Sequence, residues 1–174
     1  YPLFTDFKYW NLGLPKNPEN PYYTMPEKWN LDGADWIDYG LGGYLKAAGH
    51  GPEVYEPELG KFKTPTLRNV DLRPYPEFVK AYGHNGYFNT LEGLTGIVHF
   101  YAWRSMMDGN MPPGGGMGGG GMGGGGCMVP MPDLFPAPEI DQNRESITWF
   151  NFMMQMQGDK IVAFLKTLSD GYIP

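Results

Sequence analysis

Sulfur bridges, charge and long apolar runs are all scarce in this chain. A single cysteine, Cys127, excludes an internal disulfide and says little about compartment. Charged residues make up only 18% and sum to −6, with no basic stripe, so nucleic-acid binding has no support. No apolar run approaches membrane-spanning length. A signal-like segment is missing too, and the chain begins at Tyr1 rather than Met, which points to processing or to an omitted beginning.

What is present is irregular backbone and rings. Gly (26) and Pro (17) together make up about a quarter of the 174 residues, which signals short elements and a low-complexity stretch. Aromatics reach 16%. A loop-rich chain with that many rings buries them to compensate for missing ladders. A large flat cofactor would use such rings, and so would a plain aromatic core.

Residues 1–60 read as mostly irregular, with Pro15, Pro18, Pro21 and Pro26 interrupting helix and ladder alike. The stretch Leu31–Lys46 reads as compact loop with one short helix. A helical turn is expected at Thr66–Val70 and another short helix from Pro76 to Tyr82. The clearest helix is Thr90–Arg104, with Asn89 as cap and Glu92 completing a capping box. Its Leu91, Leu94, Ile97, Val98 and Tyr101 share one face, while Gly93 and Gly96 each weaken it by about 1 kcal/mol relative to Ala. Further helices are expected at Arg144–Gln157, capped by Asn143, and at Asp159–Leu168, followed by Gly171. Between the Thr90–Arg104 helix and these two, residues 109–132 form a low-complexity insert rich in Gly and Met.

Several blocks in order carry a resemblance. Leu3-Phe4-Thr5-Asp6-Phe7 is followed by Asn11-Leu12-Gly13-Leu14-Pro15. Next comes Gly60-Lys61-Phe62-Lys63-Thr64-Pro65-Thr66-Leu67-Arg68-Asn69-Val70, with His84-Asn85-Gly86-Tyr87-Phe88. The helix ending in His99-Phe100-Tyr101 and the terminal Ile161-Val162-Ala163-Phe164-Leu165-Lys166-Thr167-Leu168 complete the set. Together they resemble the C-terminal domain of the di-haem cytochrome c peroxidase and MauG family, over nearly the whole chain except the insert. The resemblance implies an all-α, cytochrome c-like domain of short helices and long loops. Residues 1–174 would be the C-terminal part of one such domain, in a periplasmic or extracellular protein.

The family anchors haem c through Cys-x-x-Cys-His, whose histidine is the proximal iron ligand. In relatives that motif lies shortly before the Phe-Thr-Asp-Phe block, so here it would fall upstream of Tyr1. The resemblance makes Tyr101 the distal iron ligand, as in MauG-like relatives; ordinary peroxidases carry Met there. A phenolate lowers the iron potential, whereas a thioether raises it. Met106 and Met107, about one turn on, are the fallback ligands. His84 would lie near the haem, bonded to a propionate or to backbone, and Arg68 would face the haem edge and pair with a propionate. Each has a plain structural alternative: a packed core tyrosine, a turn histidine, an ordinary salt bridge. His50 and His99 receive no role.

Relatives also hold a calcium ion between domains, partly through backbone carbonyls of a Thr-Ala-Pro stretch after Arg-Asn-Val. Here Arg73-Pro74-Tyr75-Pro76 and a longer insertion follow, which puts that site in doubt and leaves its ligands unassigned. Met111, Met117, Met122, Met128, Met131 and Cys127 are soft donors of the kind that selects Cu(I), but a glycine-rich tether imposes no coordination geometry, so a flexible or interface-covering loop is favoured over copper. The leading expectation is a redox enzyme in which an upstream second haem domain binds peroxide and this domain relays electrons. The alternatives are a non-catalytic electron-transfer subunit with a redox partner protein, or a haem-free copper-binding or structural protein.

Overall fold

Proline and glycine keep every element short, and the strands owe their pairing to contacts far apart in sequence. A computed structural model describes residues 3–72, 75, 78, 80–107, 135–146 and 157–169, with only the backbone of 105–107. Strand β1 (Tyr9–Trp10) pairs antiparallel with β2 (Phe62–Lys63), Tyr9 opposite Lys63 and Trp10 opposite Phe62. The pairing extends beyond the strands: the Thr64 amide donates to the Lys8 carbonyl (2.8 Å) and the Thr5 hydroxyl to the Thr64 carbonyl (2.8 Å). Four α-helices accompany this ribbon among the described residues: α1 (Gly40–Ala47), α2 (Pro52–Tyr55), α3 (Ile97–Met107) and α4 (Gly158–Thr167). Short 3-10 turns occupy Pro21–Thr24, Gly33–Asp35 and Glu56–Glu58.

The all-α expectation is therefore corrected: the fold is mixed, with few helices, one small sheet and much loop. The physical reason lies in the sequence itself. β-Prone rings at Tyr9, Trp10 and Phe62 find partners across a long separation, while Gly and Pro stop the helices early.

Helix α3 begins at Ile97 rather than at Thr90. Gly93 adopts a left-handed φ of 73°, which breaks any helix running from Thr90, and the Ile97 amide donates to the Thr90 carbonyl across the resulting turn (3.2 Å). The end extends past Arg104 to Met107. Helix α4 follows expectation within one residue, with Asp159 in its first turn and Lys166 in its last, both favourable to the helix dipole. Arg68–Asp71 form a turn, and α1 is the short helix expected within Leu31–Lys46. Lys80–Tyr82 are not helical, because Tyr82 bridges to Phe88. Residues 144–146 are not helical either; positions 147–156 of the Arg144–Gln157 expectation, Pro76, Glu77 and Val79, Gly171 and the 109–132 insert lie outside the described residues.

The core is a ring cluster on α3. Phe100 (0% exposed) and Phe88 (1%) lie with centroids 5.1 Å apart, and Phe135 packs edge-on to Phe100 at 5.1 Å and beside Trp103 at 5.2 Å. Leu14, Leu91, Val98 and Val162 complete it. Each such buried side chain contributes roughly 1.5–3 kcal/mol. Phe135 belongs to the segment after the insert, which is tied back onto residues 11–15. The buried Asn11 amide donates to the carbonyls of Ile140 (3.0 Å) and Gln142 (2.7 Å), and the Glu139 amide donates to the Leu14 carbonyl (2.9 Å).

Candidate functional site

Two neighbourhoods hold the residues singled out from the sequence. The first is built around α4. Ile161, on that helix, packs with Tyr101 against Ala102 of α3. Three residues further along, Phe164 stands 50% exposed and meets Phe4 in an edge-to-face contact, centroids 6.0 Å apart. The Arg68 guanidinium lies 5.8 Å over the Phe4 ring and donates to the Ser169 carbonyl just past the helix end (3.0 Å). The turn carrying Arg68 is fixed to the same place, since the Asn69 amide donates to the Leu168 carbonyl at 2.6 Å. Arg68 is thus braced at the end of α4, while Tyr101 is carried by α3, which packs on α4 through Ala102 and Ile161. Burial pushes the Tyr101 phenol up to about 12. Met106 is part of α3, but its side chain is outside the described residues, as is that of Met107.

The backbone of the N-terminal segment is unusual on this face. Phe4 (φ 47°) and Phe7 (φ 59°) are both left-handed, a conformation that bulky residues rarely adopt. The Thr66 hydroxyl donates to the Leu3 carbonyl (2.6 Å), and the Asp6 carboxylate accepts from the Lys8 amide (2.9 Å) and the Trp10 indole (2.7 Å). Those two bonds hold the Asp6 carboxyl below its ordinary range. The outcome is an outward-facing ring pair, Phe4 and Phe164, beside Arg68, while Phe7 is separately exposed, with the Lys63 ammonium 5.9 Å from its ring.

His84 sits in the second neighbourhood, the tight turn closed by the Tyr82–Phe88 bridge. Gly83 and Gly86 both take positive φ there, and a side chain at Gly83 would collide with Leu14. The His84 ring stacks flat on Phe62, centroids 3.5 Å apart and planes 7° from parallel. Its Nε2 lies 3.4 Å from the Glu139 carboxylate; the two side chains are 15% and 3% exposed. Asn85, buried beside it, donates to Glu139 Oε2 (3.0 Å) and to the Pro15 carbonyl (2.7 Å), while the Tyr23 hydroxyl reaches Glu139 Oε1 at 3.5 Å. Burial alone would raise the Glu139 carboxyl. The hydrogen bonds from His84 and Asn85, with the charges of His84 and Lys16, outweigh it and hold the group below its ordinary range. Burial and the Glu139 charge together push the Tyr23 phenol up.

Sequence reasoning missed Glu139 and the left-handed pair Phe4 and Phe7. No local signal could have named Glu139, because it lies beyond the insert, 54 residues from Asn85. Half-buried His99 lines a separate small cavity of about 240 Å³ between α3 and α4, with Leu91, Ala102, Asp159 and Val162. Its imidazole is lowered by burial. Among the described residues, no group of three or more His, Cys, Asp and Glu side chains could hold a metal ion, and no helix is long and apolar enough to cross a membrane.

No family model matches the sequence. It is similar, at 31% identity over 171 residues, to the methylamine utilization protein MauG of Paracoccus denitrificans, covering 96% of this chain and 35% of that protein. It is also 32% identical over 104 residues to the cytochrome-c peroxidase IdrP1 of Denitromonas iodatirespirans, covering 58% of this chain and 25% of that one. A third match, 31% over 112 residues, is the cytochrome-c peroxidase IdrP1 of a Pseudomonas species. The chain therefore spans between a quarter and about a third of the length of these curated relatives. The MauG match runs along nearly the entire chain and the peroxidase matches over more than half of it, so the chain belongs to the di-haem cytochrome c peroxidase and MauG family.

Proposed function

We propose that this chain is the C-terminal part of a periplasmic or extracellular haem c redox protein of the di-haem peroxidase type. The observation that carries the reading is the exposed ring pair of Phe4 and Phe164, the former on a left-handed backbone and bordered by Arg68. Strained backbone is retained where the surroundings require it, and those surroundings are often a functional site. A flat aromatic macrocycle with acidic side arms matches both halves of this face, rings for its plane and a guanidinium for a propionate. The donor chemistry of Tyr101 is compatible as well. Burial favours its protonated phenol, and a ferric ion is the kind of charge that would reverse that preference.

Haem supplies one-electron chemistry when bound. The chain's own residues bind and tune. Phe4 and Phe164 would exclude water from part of one side of the group. Arg68, braced by Ser169 and Phe4, offers a fork of N–H donors to a carboxylate. Tyr101 would supply an oxygen donor to the iron, and Met106 a thioether donor in its place. His84 is anchored by Glu139 and Phe62 and acts by holding its turn in place. Peroxide-linked turnover belongs to a second haem domain upstream, with a redox partner protein supplying or accepting electrons.

The test uses the full-length protein. A Soret band and a pyridine haemochrome of the c type are expected, with two Cys-x-x-Cys-His motifs in the complete sequence. Tyr101→Phe should shift the visible and electron paramagnetic resonance spectra of one haem only. A full-length protein without covalent haem would end this reading. A single such motif would favour the electron-transfer subunit instead.

A further inference from the structure

Residues 20–36 form a compact loop built around a buried amide. Asn30 is 3% exposed, and its side-chain nitrogen donates to the carbonyls of Tyr22 and Gly33, both at 2.9 Å. Its side-chain oxygen accepts from the Asp32 amide (3.1 Å). One side chain thus ties the 3-10 turn of Pro21–Thr24 to that of Gly33–Asp35. The Tyr22 hydroxyl donates to the Trp29 carbonyl (2.7 Å), the Trp29 amide donates to the Pro26 carbonyl (2.8 Å), and the Tyr22 ring packs on Trp36 with centroids 4.4 Å apart. The backbone on both sides of Asn30 is therefore fixed. Yet the two neighbours of Asn30 stand in water, Trp29 66% and Leu31 83% exposed. Side chains so exposed add little to folding stability. Held on a fixed backbone, they lose little freedom on association, which is what makes a tryptophan a strong anchor for a partner.

The charge around them is of one sign. Glu19, Glu27, Asp32 and Asp35 are exposed and enter no ion pair among the described residues. Against them the stretch holds one lysine, Lys28, whose ammonium lies 5.3 Å over the Trp29 ring. Lys16 reaches the loop from outside, and its ammonium is spent on the Ala34 carbonyl (2.6 Å). We propose that Trp29 and Leu31 are the docking tip for a basic partner protein, one that offers an apolar centre rimmed by lysine or arginine. The cationic rim answers the four carboxylates and steers the encounter, while Trp29 and Leu31 supply the hold. Tryptophan and leucine also suit a lipid interface, but these carboxylates are repelled by an anionic leaflet. A second copy of this chain brings the same net negative charge, which disfavours self-association. The proposal does not rest on the haem reading, and its readouts do not involve haem.

The experiment titrates the full-length protein with a helical peptide of leucine and lysine, which carries the chemistry of such a partner, using calorimetry and tryptophan emission. Binding should shift part of the emission to the blue and weaken as salt is added. Trp29→Ser and Leu31→Ser should each lower the affinity by at least about tenfold. Leu31→Ser, at the more exposed site, keeps the test open if Trp29→Ser folds poorly. Glu27→Gln combined with Asp35→Asn should reduce the salt dependence. Unchanged affinity in the Trp29 and Leu31 variants overturns the proposal, as does equal binding of a peptide with glutamate in place of lysine. Trp29-dependent binding to phosphatidylcholine–phosphatidylglycerol vesicles, without binding of the peptide, would make the tip a membrane contact and overturn it too. So would protection of Trp29 from acrylamide quenching in the full-length protein alone, which would mean that the rest of the polypeptide already covers it.

Discussion

Phe4 and Phe7 hold left-handed backbones although each carries a bulky ring, and each such residue costs about 1–2 kcal/mol. Phe7 is 55% exposed, so its ring repays little of that through burial in this chain. Phe7→Asn, a residue tolerant of the conformation, should therefore leave the urea midpoint unchanged or raise stability by up to ~1 kcal/mol. The visible spectrum of the covalently held haem should become more sensitive to acid in the same variant. A variant that loses stability and keeps its haem spectrum would mean that the ring serves the fold rather than the cofactor. Asn85 makes the opposite case. Its amide serves the Pro15 carbonyl and the Glu139 carboxylate in buried surroundings, so Asn85→Ala should destabilise by about 1–3 kcal/mol in chemical denaturation.

Titration follows the same residue logic. Glu139 is depressed in the fold, so its contribution is complete above the ordinary carboxylate range and is lost as pH falls through the folded value. His99 is depressed by burial below 6.5, so the fold prefers the neutral ring. Its contribution is present above 6.5 and is lost as pH falls through the lowered value. His99→Gln should flatten the loss of stability as pH falls below 6.5, and Glu139→Gln should flatten the loss as pH falls through the carboxylate range. Denaturation midpoints across the pH series check both. His84 and its turn were legible in the sequence as glycines flanking a histidine. Glu139 was not, since nothing local to residue 139 records that chain folding brings it to His84.

At the scale of elements, legibility tracked how much of each element's determinants are local. Helix α4 carries its apolar face, its acidic start and its basic end within ten residues, and it was read to within one residue. The start of α3 was misplaced because periodicity through Leu91 and Leu94 is genuine, yet Gly93 takes a conformation that a helix excludes. The β1–β2 ribbon was invisible, because two-residue strands have no period and their partners are half a hundred residues apart. Gly93→Ala should be destabilising by about 1 kcal/mol, since alanine resists the left-handed φ despite its better helix propensity. Gly96→Ala should be worse, because its added carbon would collide with the Glu92 carbonyl oxygen. The pair distinguishes a turn from a helix at 91–96: a helix there would make Gly93→Ala stabilising.

For the whole molecule, the decisive connection is between α3 and the segment that follows the insert. Trp103 and Phe135 lie ring against ring at 5.2 Å, so the chain that leaves α3 returns to the same core. The connection between them need only close a loop, and closure entropy changes slowly with length, by about 0.6 kcal/mol per halving. Cutting the Gly/Met stretch 114–126 down to a few Gly and Ser residues should therefore leave stability within ~1 kcal/mol of wild type. Phe135→Ala, by contrast, should cost about 3–5 kcal/mol, because it empties the point at which the two halves meet. The shortened chain also separates structure from chemistry. If it keeps its melting curve and its haem spectrum but loses activity toward a protein substrate, the insert is an interaction segment. If it melts many degrees lower, the insert supplies contacts to the core, and the loop-closure argument fails.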